Sequence, residues 1–189
     1  MLNRRELCRR AVGAGLAAGC LGPDGAGTCL AQTAGAQHEK SPCEKRLEWT
    51  ENWTRRFFET LDGQVDEASR RRLMTASGRA CYRESHAGRA VKPMPVDELV
   101  SKLQAYAGET NCRREGDTVY FTFKPHPEHR CLCPLVETGP AKLSPTFCLC
   151  SVGYVTQMFE SCLGRPVRVA MLESIHTGGT ACRFQVELA

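Results

Sequence analysis

Two Cys-x-Cys pairs, Cys131/Cys133 and Cys148/Cys150, stand close together in the stretch HRCLCPLVETGPAKLSPTFCLCS (129–151). In an extended strand, residues i and i+2 project to the same face, so each pair would present two sulfurs side by side. Such neighbours fit disulfide geometry poorly, and neither pair is expected to bridge itself. Four thiolates from two adjacent extended segments suit one tetrahedral ion, with zinc the default for an all-sulfur site. The spacing is not that of the C-x2-C knuckle, so two other readings stand beside the metal. One is disulfides between segments; the other is a buried patch in which Cys acts as a small hydrophobe. His126 and His129 offer imidazole nitrogens beside the first pair, or are solvated histidines in a Pro-containing turn.

Three further places carry reactive side chains. In MTASGRACYRES, Arg79 stands two residues before Cys81, and a cation near a thiol favours the thiolate, as nucleophile or extra metal ligand. The alternative is a core Cys on the inner face of a helix. Cys182 follows the Gly178-Gly179 turn and is expected to share a strand face with Phe184, as a further candidate ligand. Glu173 and His176, at the same hairpin, supply a carboxylate and an imidazole for proton transfer, or else are charged residues at an exposed turn.

The chain has 189 residues and 12 cysteines. Three of these, Cys8, Cys20 and Cys29, lie in an N-terminal segment that reads as a targeting sequence. There NRRELCRR precedes a short, Gly-rich apolar run and the small-x-small pattern AGA at 34–36. Asn3-Arg4-Arg5-x-Leu7 resembles a twin-arginine export signal, with a plain secretory signal as the alternative and AAGC, ending at Cys20, as a loose lipid-anchoring box. Residues 1–36 are therefore assigned to a signal, and the mature chain to the periplasm or another extracytoplasmic space. The nine remaining cysteines cannot all pair within one chain. Without the signal, 21 basic residues face 19 acidic ones, and no electrostatic footprint for nucleic acid remains.

These groups need a scaffold. Residues 37–46 are polar and read as a linker, and 47–189 as a single domain of ordinary core size. Helical periodicity predicts a helix from Leu47 to Asp62-Gly63, a second opened by Asp66 with Gly78 near its end, and a third from Val96 to Gly108 after Pro95. DTVYFTF (117–123) alternates as a strand, with HRCLCPL (129–135) as its expected partner. FCLC is expected to be extended, turning helical from about Ser151 until Gly164. PVRVAMLES and ACRFQVEL read as a closing hairpin. The sum is an α+β fold, with N-terminal helices followed by strand-strand-helix-strand-strand in an antiparallel sheet.

RCLCPLVE, FCLCSVGYVTQMFESCLGRPVRVAMLESIHTGG and ACRFQVEL resemble a bacterial family related to L-2-amino-thiazoline-4-carboxylic acid hydrolase, within the wider group of 4-vinyl reductase-type small-molecule-binding domains. LMTASGRACY resembles an upstream element of the same group. The likeness spans about Leu73 to Leu188, and its most specific parts are the Cys-x-Cys pairs and the closing Glu173, Gly178, Gly179, Cys182 and Phe184. It implies an α+β ligand-binding fold with a pocket between sheet and helix. The export signal sets this chain apart from a cytoplasmic hydrolase.

Three functions follow as expectations. The first is an exported domain with a zinc-thiolate site, able to hydrolyse a small C–N bonded substrate if one coordination position holds water, and structural if four thiolates fill the shell. The second is a non-catalytic sensor or carrier of a small ligand. The third is an extracytoplasmic redox protein stabilised by disulfides, although no C-x-x-C motif is present.

Overall fold

A computed structural model describes residues 40–123, 131, 133 and 143–189. The chain divides into two compact units, residues 1–50 and 51–189. Helix α1 spans Pro42–Gln64 and so starts inside the segment assigned to a linker. Its start is a capping box: the Ser41 N–H donates to Glu44 Oε2 at 2.9 Å, and the Glu44 N–H donates to Ser41 Oγ at 3.3 Å. Pro42 occupies the first helical position, where its missing N–H costs nothing.

Helix α2 (Glu67–Ser85) opens at Asp66, whose side chain accepts from the Ser69 N–H, as the sequence predicts. It does not end at Gly78. That glycine is buried in mid-helix, where α2 crosses a later helix closely enough to exclude a side chain. Helix α3 (Val96–Ala107) runs from Pro95 to Gly108, as expected. It lays Leu99, Val100 and Leu103 on the core.

The sheet has four strands: β1 (Cys112–Glu115), β2 (Thr118–Thr122), β3 (Val167–Glu173) and β4 (Arg183–Leu188). Their spatial order is β1-β2-β4-β3, and every pair is antiparallel. The strand-strand-helix-strand-strand order holds with one strand exchanged. β2 pairs with β1 on one side and β4 on the other, leaving no edge over 118–122 for the 129–135 segment. Most of that segment lies outside the described residues, and Cys131 and Cys133 themselves are not in a strand.

Helix α4 spans Leu149–Leu163 and is preceded by a 3₁₀ turn at Pro145–Cys148. It ends at Gly164, in the left-handed conformation with φ +67. Its Val155 and Phe159 meet Val119, Phe121, Phe184 and Val186 from the inner face of the sheet, all essentially without solvent exposure. Phe58, Met74, Leu143 and Phe147 form a smaller cluster, with Cys133 and Cys150 packed against it. Among the described residues, no helix is long and apolar enough to cross a membrane.

Candidate functional site

The site is built where the turn before α4 meets the hairpin between β3 and β4. Ser144 caps the turn by accepting from the Thr146 N–H at 3.1 Å, and Pro145 follows at its start. Asp62, near the end of α1, accepts from Thr146 Oγ1 at 2.5 Å and pairs with Arg70 of α2 at 2.6 Å. Burial alone would raise the Asp62 pKa, but bonds from Ser144, Thr146 and Arg70 outweigh it and hold the carboxyl below its usual range. The turn that carries Cys148 is thereby tied to both helices.

Cys148 is buried and receives a hydrogen bond from Ser174 Oγ at 3.2 Å. Ser174, just after β3, is only 1% exposed, so its hydroxyl is a buried polar group directed at sulfur. The Cys148 thiol is pushed up to about 11, first by burial and then by its neighbours Cys131, Cys182 and Cys133, while Ser174 draws it down. Cys182 is also raised by burial, with Cys131 adding to the effect, while the Ile175 backbone and Ser174 draw it down. As expected, Cys182 packs with Phe184 on the core side of the sheet.

Cys150 does not share a face with Cys148. Both residues are helical, and positions i and i+2 of a helix point roughly 200° apart, whereas an extended chain would align them. The Cys150 carbonyl lies against Gly78 of α2, and its side chain packs on the cluster of Phe58, Met74, Leu143 and Phe147. Its thiol is pushed up to about 12 by burial, with Cys133, Cys148 and Cys81 adding to the shift. Six thiols thus come within electrostatic reach in two overlapping groups. Among the described residues, no three Cys, His, Asp or Glu side chains are grouped as a metal site would require. His126 and His129 lie outside the described residues.

The remaining candidates have structural partners. Arg79 does not serve Cys81. It reaches α4 and holds Glu160 through two bonds, at 2.5 and 3.0 Å, because positions 79 and 81 lie on different sides of their helix. Cys81 itself is exposed. Glu173 accepts from the Thr180 N–H at 2.5 Å and pairs with Arg183, and these contacts lower its pKa, the backbone bond from Thr180 most. His176 Nε2 bonds the Leu143 carbonyl, fixing the hairpin to the chain just before the Pro145–Cys148 turn. Ser174 and Asp62 are the residues that sequence reasoning missed as parts of the site. A Ser directly after a strand and an Asp before a Gly are common turn signals, and neither indicates a thiol partner.

Fold and site together define an α+β domain with several cysteines gathered where a helix start meets a hairpin. The chain belongs to a family of unknown function (DUF6144), whose model matches residues 33–189. No curated protein matches it. Solved structures similar to it include the phenol-responsive sensory domain of the transcription activator PoxR with phenol, at 17% identity and a TM-score of 0.35, covering 74% of each chain. Another is a vinyl-4-reductase family protein from Methanocaldococcus jannaschii, at 12% identity and a TM-score of 0.31, covering 81% of this chain and 85% of the other.

Proposed function

We propose that this protein binds a thiophilic ligand, foremost a zinc ion, at Cys148, Cys131, Cys133 and Cys182. What supports this reading is the buried Ser174 hydroxyl directed at Cys148, with Cys131, Cys182 and Cys133 near enough to raise that thiol's pKa. Grouped sulfurs repel one another once ionised, and a bound cation removes that repulsion. The donor set is all sulfur, which suits zinc and other soft ions. The described side chains are not drawn together at coordinating geometry, so ligation requires the cluster to tighten around the ion. The set differs from the two Cys-x-Cys pairs by exchanging Cys150, which packs on the smaller apolar cluster, for Cys182, whose thiol Ser174 lowers as it does that of Cys148.

Cobalt tests this reading, because thiolate ligation gives Co(II) an intense near-ultraviolet charge-transfer band. The reduced full chain should develop that band on Co(II) titration and lose it when zinc is added. No band, or the same band in a Cys148→Ser variant, would refute the assignment.

The same reading places the mature protein outside the cytoplasm, through a twin-arginine signal at Arg4-Arg5 with lipid attachment at Cys20 as the variant form. In support, the family match leaves residues 1–32 outside. Replacing Arg4 and Arg5 by Lys should hold the protein in the cytoplasm; unchanged export would point to another route.

A further inference from the structure

The face of the sheet turned away from the helices carries a groove that the thiol cluster does not use. Alternation along β2 sends Val119 and Phe121 into the core and Tyr120 outward. Register then sets Tyr120 opposite Arg113 of β1, and Thr122 opposite Arg183 of β4. These four residues, with Asn111 and Leu172, line an open groove of about 360 Å³, at the small end of the ligand-sized range.

The chemistry of the lining is specific. Arg113 is held with its guanidinium carbon 4.5 Å from the centre of the Tyr120 ring, a stacked arrangement that limits the side chain's freedom. Arg183 stands on the neighbouring side, beside the hydroxyl-bearing Thr122. Leu172 is 55% exposed and gives the groove an apolar wall. Each arginine also has an acidic partner, Glu115 at 2.9 Å for Arg113 and Glu173 for Arg183. The Arg113–Glu115 pair is well exposed on both sides and resists a competing anion little, while Arg183, about half exposed, meets the less exposed Glu173 through Nη1. Two planar forks, side-chain donors and a short apolar wall match a carboxylate group joined to a small apolar body.

We propose that this groove binds a small carboxylate of that kind, at a site separate from the thiol cluster. Titration of the ¹⁵N-labelled full chain with sodium benzoate, followed by NMR, tests it. Benzoate should give saturable shifts centred on the amides of Arg113, Tyr120, Leu172 and Arg183, and the uncharged isostere benzamide should not. Arg113→Gln and Arg183→Gln should each weaken binding about tenfold or more. Arg113→Lys should weaken it too, because it keeps the charge and loses the fork. Leu172→Ser, at an exposed position that leaves the core intact, should weaken benzoate binding, while Arg168→Gln, on the same sheet face near its other end, should not. Absence of saturation, equal binding of benzamide, or undiminished binding in the Arg113 and Leu172 variants would overturn the proposal. Inorganic phosphate binding as tightly as benzoate would do the same, by showing an adventitious ion only.

Discussion

Ser174 donates its hydroxyl hydrogen to the sulfur of Cys148 across 3.2 Å, in a place where both residues are buried. A buried hydroxyl that has a sulfur for its acceptor fixes the orientation of that thiol, as groups behind a metal ligand commonly do. Ser174→Ala should therefore lower stability by only about 1 kcal/mol, while weakening zinc binding about tenfold. Urea unfolding and a chelator competition, run on the same variant, measure the two effects. A variant that loses stability alone would make Ser174 a packing residue.

The crossing of α2 and α4 supplies a second prediction. A Cβ on Gly78 would overlap the Cys150 carbonyl and stand 2.8 Å from the Tyr154 nitrogen, and one on Gly153 would overlap the Thr75 backbone. These obstacles are main chain and cannot rotate aside. Gly78→Ala and Gly153→Ala should each cost about 3 kcal/mol or more, against the small gain that Ala normally brings to a helix interior. Thermal melts read the sign directly.

Acid should loosen the same region. The Glu160 pKa is lowered chiefly by its hydrogen bond from Arg79, and that of Asp62 by Ser144, Thr146 and Arg70 acting against burial. A depressed folded-state pKa gives stability that is present above the unfolded value of about 4 and is lost as pH falls through the folded value. Stability should fall as pH drops below about 4. Glu160→Gln and Asp62→Asn should each be less stable at neutral pH and show a shallower acid loss, measured by urea midpoints across the range.

Thiol chemistry separates the cysteines by position. Cys43 and Cys81 are exposed, whereas Cys112 and Cys148 are pushed up to about 11 and Cys150 to about 12 by burial. The thiolate is the reactive form, so at pH 8 these three should be alkylated far more slowly than the two exposed ones. Mass spectrometry after brief iodoacetamide treatment of the native chain identifies the sites. Early labelling of Cys148 would mean that the cluster is open to solvent.

Much of the scaffold was legible in the sequence because its signals are local. Asp66, Pro95 and Gly164 mark helix ends through their own backbone chemistry, and each stands where that chemistry put it. Cys148 and Cys150 alternate with apolar residues as in a strand, yet Ser144-Pro145 before them is a helix-start signal, and the helix prevails. The β1 strand escaped notice since Arg113, Arg114 and Glu115 are exposed and charged, as edge strands often are, although Gly116-Asp117 marks its turn. Gly78 carries the local signature of a helix end but is a point of close helix contact. The Arg79–Glu160 and Asp62–Thr146 bonds join residues roughly eighty positions apart, and no spacing rule reaches that far.

Zinc stoichiometry tests the central claim most directly. The full chain, purified under reducing conditions, equilibrated with zinc and freed of loosely held metal, should retain one zinc per chain by inductively coupled plasma mass spectrometry. Cys148→Ser and Cys182→Ser should lose it, Cys150→Ser should keep it, and retention should decline as acid returns protons to the thiolates. A chain that retains no zinc, or one in which Cys150→Ser loses the metal while Cys182→Ser keeps it, would contradict the account.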